Sequence, residues 1–386
     1  MSKLDELIAE LCPNGVEYKP LSEIATVTRG GNLQKKDFTE SGVPCIHYGQ
    51  IHTKYGLFTD KTFTFVSEET ALRQKMAVTG DIIMAVTSED VEGVCKCVAW
   101  LGDSDVAVGG HTAIIRHNQN PKYLVYFFNS ALFYDQKKKL AHGTKVIEVT
   151  PSKLNGVRVP VPPLEVQREI VHLLDNFTEL TAELTAELTA RKKQYEYYRN
   201  NLLSYYGGDT EKMYLSDVAD VFRGKYITQK TSKSGNIPVI MGGQEPAYYI
   251  DESNHEGEIV VVARSGVSAG FVSYWDQPIF VTDGFGFEAK KELATPKYLY
   301  YVLKNKEKEL NDMKRGAGVP HVSREMLSMV KIPIPEISTQ KRIVEILDNL
   351  ESICNDLSSG LPAEIEARQK QYEYYRDKLL TFKEKN

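Results

Sequence analysis

The stretch Arg191-Lys-Lys-Gln-Tyr-Glu-Tyr-Tyr-Arg-Asn-Asn-Leu-Leu203 returns as Arg368-Gln-Lys-Gln-Tyr-Glu-Tyr-Tyr-Arg-Asp-Lys-Leu-Leu380, identical at 10 of 13 positions. Neither copy contains Gly, Pro or a β-branched residue, and both are dense in helix-forming side chains. Tyr195, Tyr198 and Leu202 fall at i, i+3 and i+7, as do Tyr372, Tyr375 and Leu379, so each copy reads as one helical stripe.

The repetition extends backwards from both copies. Pro160-Val-Pro-Pro-Leu-Glu-Val-Gln-Arg-Glu-Ile-Val-His-Leu-Leu-Asp-Asn176 is answered by Pro333-Ile-Pro-Glu-Ile-Ser-Thr-Gln-Lys-Arg-Ile-Val-Glu-Ile-Leu-Asp-Asn349. Further upstream, Leu21-Ser-Glu-Ile-Ala-Thr-Val-Thr-Arg-Gly30 pairs with Leu215-Ser-Asp-Val-Ala-Asp-Val-Phe-Arg-Gly224 at an offset of 194. A period near 190 residues (from the 194 offset) is too long for a solenoid repeat and indicates tandem modules. The boundaries that follow are a globular domain over 1–160, a helix over 161–206, a second globular domain over 207–335 and a second helix over 336–386.

Inside each globular domain, short apolar runs punctuated by Gly predict a mixed sheet, as at Val43 to His47, Asp81 to Val86, Ile237 to Met241 and Glu258 to Ala263. Leu21 to Thr28 is too short to assign. Each domain then enters a helix through Pro-Lys-Tyr-Leu, at Pro121 to about Leu140 and Pro296 to about Met313. The first long helix is predicted over Gln167 to Tyr206, about 60 Å at 1.5 Å per residue. It contains the tandem unit Thr181-Ala-Glu-Leu-Thr-Ala-Glu-Leu188, where the second carries Ser358-Ser-Gly-Leu-Pro362, a stop and restart. Two similar helices with apolar edges predict an antiparallel pair.

The 386 residues carry a net charge of −5, which argues against a generic polyanion binder. Residues 1–160 hold 18 basic and 18 acidic side chains, and 207–335 hold 16 and 17, so any nucleic-acid contact must come from local clusters. Five scattered cysteines suit a reducing compartment, and no apolar run approaches the length of a membrane span; a soluble, cytoplasmic chain is expected.

Two unlike globular modules, each leaving through Pro-x-Pro and Gln-x-x-Ile-Val into a helix that ends in Arg-x-Lys-Gln-Tyr-Glu-Tyr-Tyr-Arg, resemble the DNA specificity subunit of type I restriction-modification enzymes. The resemblance spans essentially the whole chain. It implies an α+β protein with two mixed α/β target-recognition domains, joined by two long helices in an antiparallel coiled coil with a pseudo-two-fold repeat. Each domain would read one half of a bipartite double-stranded DNA site. The helices would set the spacer and dock two modification subunits, which assigns Tyr195, Tyr198, Leu202, Tyr372, Tyr375 and Leu379 to partner binding. S-adenosylmethionine would sit on those subunits, with no cofactor on this chain, and motor and nuclease restriction subunits would complete the complex.

The residues themselves supply candidate DNA contacts. Lys35, Lys36, Lys137, Lys138, Lys139 and Lys145 in the first module, and Lys225, Lys230, Lys233, Lys314 and Arg315 in the second, form basic clusters suited to phosphates, although solvated surfaces also carry such residues. The loops Gly143 to Val146 and Gly316 to Val319 place Gly beside a cation, where backbone can approach a duplex. Gln50, Ser88, His111, Gln244 and Arg264 can donate or accept the hydrogen bonds of base reading. Gln50 and Gln244 hold matching framework positions, so either could instead hold a loop.

Catalytic patterns are weak. Cys95-Lys-Cys97 is too closely spaced for the usual zinc pair, and buried strand residues explain it better. Gly284-Phe-Gly286 lacks the third Gly of a nucleotide loop and reads as a turn. A self-contained adenine methyltransferase would need an Asn/Asp-Pro-Pro-Tyr/Phe motif and a Gly-rich cofactor loop, and neither occurs. A scaffold whose coiled coil binds only protein leaves the divergent basic loops without a purpose. The expectation is a non-catalytic recognition subunit.

Overall fold

The run Ile82–Ala85 is buried at every position, Ile82 and Met84 on one side of the sheet and Ile83 and Ala85 on the other. A strand covered on both faces reads as continuous apolar sequence rather than an alternation. It is the centre of a five-stranded sheet ordered Ala25–Arg29, Thr112–His117, Ile82–Ala85, Cys97–Trp100, Phe58–Thr59. One face packs against Tyr123, Phe127 and Phe133, and the other against Ile46, Trp100 and Val106. A second sheet runs Thr64–Val66, Val43–Ile46, Val106–Val108, Lys75–Ala77.

The computed structural model describes residues 3–208, 210–242, 245–316, 318–355 and 360–385, with backbone alone for 205–208. No helix among them is long and apolar enough to cross a membrane. The chain divides into two compact units, 1–183 with 365–386, and 184–364. Each unit thus holds its own globular part, the start of the helix that follows, and the tyrosine-rich helix end of the other repeat. The helical segments are apportioned between the units rather than standing apart from them.

Among the described residues, the second unit repeats the first with fewer strands. An antiparallel sheet runs Ala219–Arg223, Gly284–Ala289, Ile259–Ala263, Val272–Trp275, beside a smaller one of Tyr248–Ile250, Ile237–Ile240 and Phe280–Val281. Gly284 and Gly286 are strand residues, not the turn their spacing suggests. A Cβ on Gly286 would lie 2.3 Å from the Phe222 ring, so close aromatic packing explains that glycine.

Leu21 to Thr28 resolves into one helical turn, Leu21–Ile24, followed by the strand Ala25–Arg29. Each predicted Pro-Lys-Tyr-Leu helix is two helices: Pro121–Phe128 and Ala131–Leu140, then Pro296–Asn305 and Glu307–Asp312. Ser130 causes the first break, because its hydroxyl accepts the Phe133 N–H at 3.3 Å and caps a new helix. The first long helix spans Leu164–Gly208; the second is Ile337–Asn355 and a restart at Leu361–Leu379, with Pro362 in its first turn.

Within each unit the two helical segments run antiparallel, as the apolar stripes predict. In the first, Glu384 pairs with Val16 and Arg158, near where the long helix begins, while Tyr375 stacks on Phe177 at 5.3 Å further along. In the second, Glu351 acts on Tyr195, and Cys354 lies beside Arg191 and Lys192.

The glutamines of the repeated Gln-x-x-Ile-Val signature fasten each helix to its own globular part. Gln167 and Gln340 are wholly buried. Gln167 Oε1 accepts the Asn120 N–H at 3.0 Å, and its Nε2 donates to Gln119 Oε1 and Pro162 O, each at 2.8 Å. Gln340 Oε1 accepts the Thr295 N–H at 2.9 Å, and its Nε2 donates to Leu293 O and Pro335 O, each at 2.8 Å. The tyrosine of each Pro-Lys-Tyr-Leu motif adds a further tie: Tyr123 donates to Pro160 O at 2.9 Å and Tyr298 to Pro333 O at 3.0 Å. Carbonyls that the extended proline segments leave open, at Pro160, Pro162, Pro333 and Pro335, thereby gain side-chain donors.

Candidate nucleic-acid interface

Arg29 closes the strand Ala25–Arg29, and the next residues, Gly30 and Gly31, pass so close to Gly109 and Lys75 that a Cβ on either would collide with backbone. This close passage opens a cleft of about 550 Å³ lined by Arg29, Asn32, Gln34, Lys35, Tyr48 and His111, among others. Lys35 and Lys36 sit exposed on a short helical turn, held by a reciprocal bond in which Gln34 N–H donates to Asp37 Oδ2 at 2.9 Å. Exposed His111 packs on Tyr48 at 5.0 Å, and Tyr48 packs on His47 at 4.5 Å. Burial, followed by the charges of Lys35 and His111, lowers the His47 pKa and favours its neutral ring. Its Nδ1 accepts the Gly49 N–H at 3.2 Å.

The basic loop joins this face. Arg29 donates to Gly110 O at 3.2 Å and lies 3.9 Å from the Glu148 carboxylate. Glu148 belongs to the strand Ile147–Glu148, which pairs with Thr87–Ser88, and its backbone also bridges to His142. Between these bonds Gly143 takes φ +112°, and a Cβ there would meet Val146 O at 2.0 Å. Lys145 and Val146 are left exposed at the loop tip. Arg29 and Lys35 line the cleft with Asn32, Gln34, Tyr48 and His111, polar groups of the kinds used to address phosphates and base edges, and exposed Lys145 stands on the loop whose Glu148 lies beside Arg29.

Matching hydrogen bonds place the second unit on the same frame. Gly30 N–H donates to Thr112 O and Gly224 N–H to Gly284 O; Val86 N–H donates to His111 O and Arg264 N–H to Asp283 O. Val149 N–H donates to Val86 O, and Val322 N–H to Arg264 O. Gly316 has φ +120°, as Gly143 has +112°. On this frame the chemistry differs. Buried Val86 is replaced by Arg264, His111 by Asp283, and Asn32 by Tyr226, which is 88% exposed. Arg264 lies 3.5 Å from Asp283, and the Ser265 hydroxyl bonds the same carboxylate. A family profile described as the type I restriction modification DNA specificity domain matches residues 13–191 and again 208–367.

The chain belongs to this DNA specificity domain family. It is 34% identical over 261 residues to the specificity subunit of the Escherichia coli type I restriction enzyme EcoR124I/EcoR124II, covering 60% of this chain and 65% of that one. It is 29% identical over 396 aligned positions to a putative type I specificity subunit of Haemophilus influenzae, covering 95% of this chain and 96% of the relative. The crystal structure of a type I restriction-modification S subunit from M. genitalium shares the fold, with a TM-score of 0.61 at 17% identity over 95% of this chain and 96% of that chain. A chain from a study of type I R-M complex assembly aligns with a TM-score of 0.65 at 19% identity, over 96% of this chain and 98% of that one.

Not every candidate of this specificity-domain chain reaches the interface. Lys137 is buried, its Nζ donating to Glu92 O at 2.8 Å and Val94 O at 2.9 Å, so it is a scaffold residue rather than a phosphate contact. Lys138 is exposed but pairs with Asp135 at 2.6 Å, and Lys139 is exposed. Gln50 takes the scaffold role of its two: it is buried, its Oε1 accepts the His47 N–H at 3.2 Å, and its Nε2 donates to Thr64 at 3.1 Å. Gln244 lies outside the described residues. Ser88 stands on the strand beside the basic loop. Lys225, Lys230 and Lys233 are exposed, Lys314 bonds Asn311 at 3.1 Å, and Arg315 is exposed with two bonds to its own turn. Arg29, Tyr48 and Tyr226 were not among the sequence candidates, although the repeated Arg-Gly pair marked the place.

The tyrosine stripe divides similarly. Tyr195 and Tyr372 are buried, each beneath an arginine, Arg199 at 5.4 Å and Arg376 at 5.6 Å from the ring centroid. Leu202 and Leu379 pack against the cores, and Tyr375 stacks on Phe177. Tyr195 and Tyr372 are thus internal anchors, Leu202, Tyr375 and Leu379 are partly buried, and Tyr198 is 41% exposed. Tyr197 and Tyr374, 64% and 61% exposed, present the free aromatic surface. Two positions along a helix is about 200°, so Tyr197 must face away when Tyr195 faces in. Cys95 and Cys97 are buried, and burial pushes the Cys95 thiol up to about 12, as expected of packing residues. Among the described residues, no group of three or more His, Cys, Asp or Glu is placed to hold a metal.

Proposed function

We propose that this chain is the DNA specificity subunit of a type I restriction-modification complex, with the first unit reading one half of a bipartite duplex site and the second reading the other. The observation that carries this is the pair of matched frames with unlike side chains at equivalent points, Val86 and His111 against Arg264 and Asp283. A duplicated scaffold conserves how the backbone approaches the duplex, while substitutions on it change which bases are accepted. The chain itself recognises and does not catalyse. S-adenosylmethionine and methyl transfer to adenine belong to modification subunits docked on the helical segments, where Tyr197 and Tyr374 give two equivalent aromatic contacts. Motor and nuclease subunits complete the restricting form, and the site of action is the cytoplasm.

The test is to express the chain with a modification partner and map methylated adenines in the host genome. A bipartite motif with a fixed gap is expected. Deleting one Thr181-Ala-Glu-Leu184 unit should shorten the gap by about one or two base pairs, since four helical residues rise about 6 Å, and leave both half-site sequences alone. An unchanged gap would reject the spacer role, and methyl transfer by the purified chain alone would reject the division of labour.

A further inference from the structure

Three segments of the second unit end in an apolar side chain beside a cation or a glycine: Arg223-Gly-Lys-Tyr226, Arg264-Ser-Gly-Val267 and Gly316-Ala-Gly-Val319. The fold brings them to one edge of the antiparallel sheet, where Arg223 pairs with Phe285 and Ala263 with Gly284. Beyond the strands, Lys225 N–H donates to Val281 O at 3.0 Å, Arg264 N–H to Asp283 O at 3.1 Å and Gly266 N–H to Pro320 O at 2.9 Å. Past these bonds the side chains stand free of the core: Tyr226 is 88% exposed, Val267 92% and Val319 67%. Scattered singly, such residues are ordinary on a surface. Here they gather on the edge that also carries Arg264 and the exposed cations Arg223 and Lys225.

The first unit carries different chemistry on the matching edge. Asn32 stands where the second unit has Tyr226, and Glu89 follows Val86 as Val267 follows Arg264; both Asn32 and Glu89 are exposed. Only Val146, 60% exposed, answers Val319. A valine common to two readers of unlike sequences cannot tell those sequences apart, whereas Tyr226 and Val267 belong to one reader alone. Amide and carboxylate groups meet the polar groups of a base edge. The apolar group that a base edge offers is the C5-methyl of thymine, and it is displayed in the major groove.

We propose that the second unit recognises thymine in its half-site through the C5-methyl group in the major groove, with Tyr226 and Val267 as the specificity-determining contacts. Arg223 and Lys225 lie on the same segment as Tyr226 and suit the phosphates that border the groove. The edge matches, backbone bond for backbone bond, the one that carries the polar cleft of the first unit, which favours a duplex over a protein as its occupant. The inference rests on the reading that each unit addresses one half of a bipartite site, and the test separates the two.

The test uses the chain co-expressed with modification subunits, and duplexes carrying the bipartite motif that methylation mapping gives. Replacing the thymines one at a time by deoxyuridine removes only the methyl group. At one or more positions of a single half-site the complex should bind about fourfold more weakly, the effect of one buried methyl group, with no such loss in the other half-site. At least one of Tyr226→Ser and Val267→Ser, both exposed positions checked by an unaltered melting curve, should erase that penalty, so that thymine and uracil duplexes bind alike. A complex that binds no bipartite duplex would defeat the proposed function, and this inference with it. If the duplex binds but uracil is tolerated throughout, or costs the same in both half-sites, or both variants keep the penalty, methyl reading is overturned while the proposed function stands. A photo-crosslink from position 226 to a modification subunit instead of DNA would overturn it equally.

Discussion

Replacing Gln340 by Ala tests whether the buried amide clamp holds a recognition unit to its helix. The side chain is fully buried and makes three hydrogen bonds of 2.8–2.9 Å, one accepted and two donated. Truncation leaves the Thr295 N–H without its acceptor, at about 1–3 kcal/mol for a buried unsatisfied group. The two carbonyls retain other lone pairs, so they sit at the low end of that range, and the vacated volume adds a cavity term. The sum is about 3–5 kcal/mol from the second unit. Urea unfolding followed by fluorescence should show this loss, with the Thr295 amide losing hydrogen-exchange protection as the local signature. Gln229→Ala, at an exposed position of the same unit, should change stability by less than about 0.5 kcal/mol. Because the clamp touches no base-reading residue, DNA affinity should fall while the preferred half-site sequence stays. A loss below about 1 kcal/mol with Thr295 still protected, or a changed sequence preference, would refute the reasoning.

Arg264→Ala should alter or relax one half-site by about 1–3 kcal/mol at a single base pair and leave the other untouched, which methylation mapping would reveal; equal damage to both halves would count against it. Lys145→Ala, at an exposed loop tip, should reduce the slope of log affinity against log salt by about one. Lys137→Met, by contrast, should leave that slope alone and destabilise the first unit, because its ammonium serves the carbonyls of Glu92 and Val94. The first unit should also weaken on mild acidification. Burial lowers the pKa of both His47 and His117 below the ordinary value, so the unfolded chain takes up protons first as pH falls through about 6.5. More protons on the unfolded chain means stability rises with pH in that window and declines below it. Melting curves from pH 7.5 to 5.5, about one unit either side of that value, should show the decline, flattened in His47→Asn, which keeps a capping side chain; an unchanged slope would remove His47 from the account.

What could be read from the chain, and what could not, follows from how far apart the deciding contacts lie. The duplicated helix ends, the Gln-x-x-Ile-Val signature and the glycines Gly143 and Gly316 were legible because repetition and local backbone demand mark them without reference to anything distant. The Lys137-Lys-Lys run was partly legible too. Phe133, Lys137 and Leu140 share one helical face, and Phe133 is fully buried, so the first lysine had to turn inward and find carbonyls. The same phase argument separates Tyr195 from Tyr197, and only the direction of the core was missing. Gln50 was a different problem: its amide could serve a base edge or a loop equally well, and Thr64, 14 residues on, decides the matter by occupying it. Arg264 and Asp283 are farther apart again, 19 residues, and meet only because Ala263 pairs with Gly284 across two strands. The candidate contacts proposed for base reading in the second unit fall in this last class. A surface that must read unlike half-sites from one frame keeps its frame in local, repeated signals and its readers in pairings set by register, so the frame is visible in the sequence and the readers emerge only with the fold.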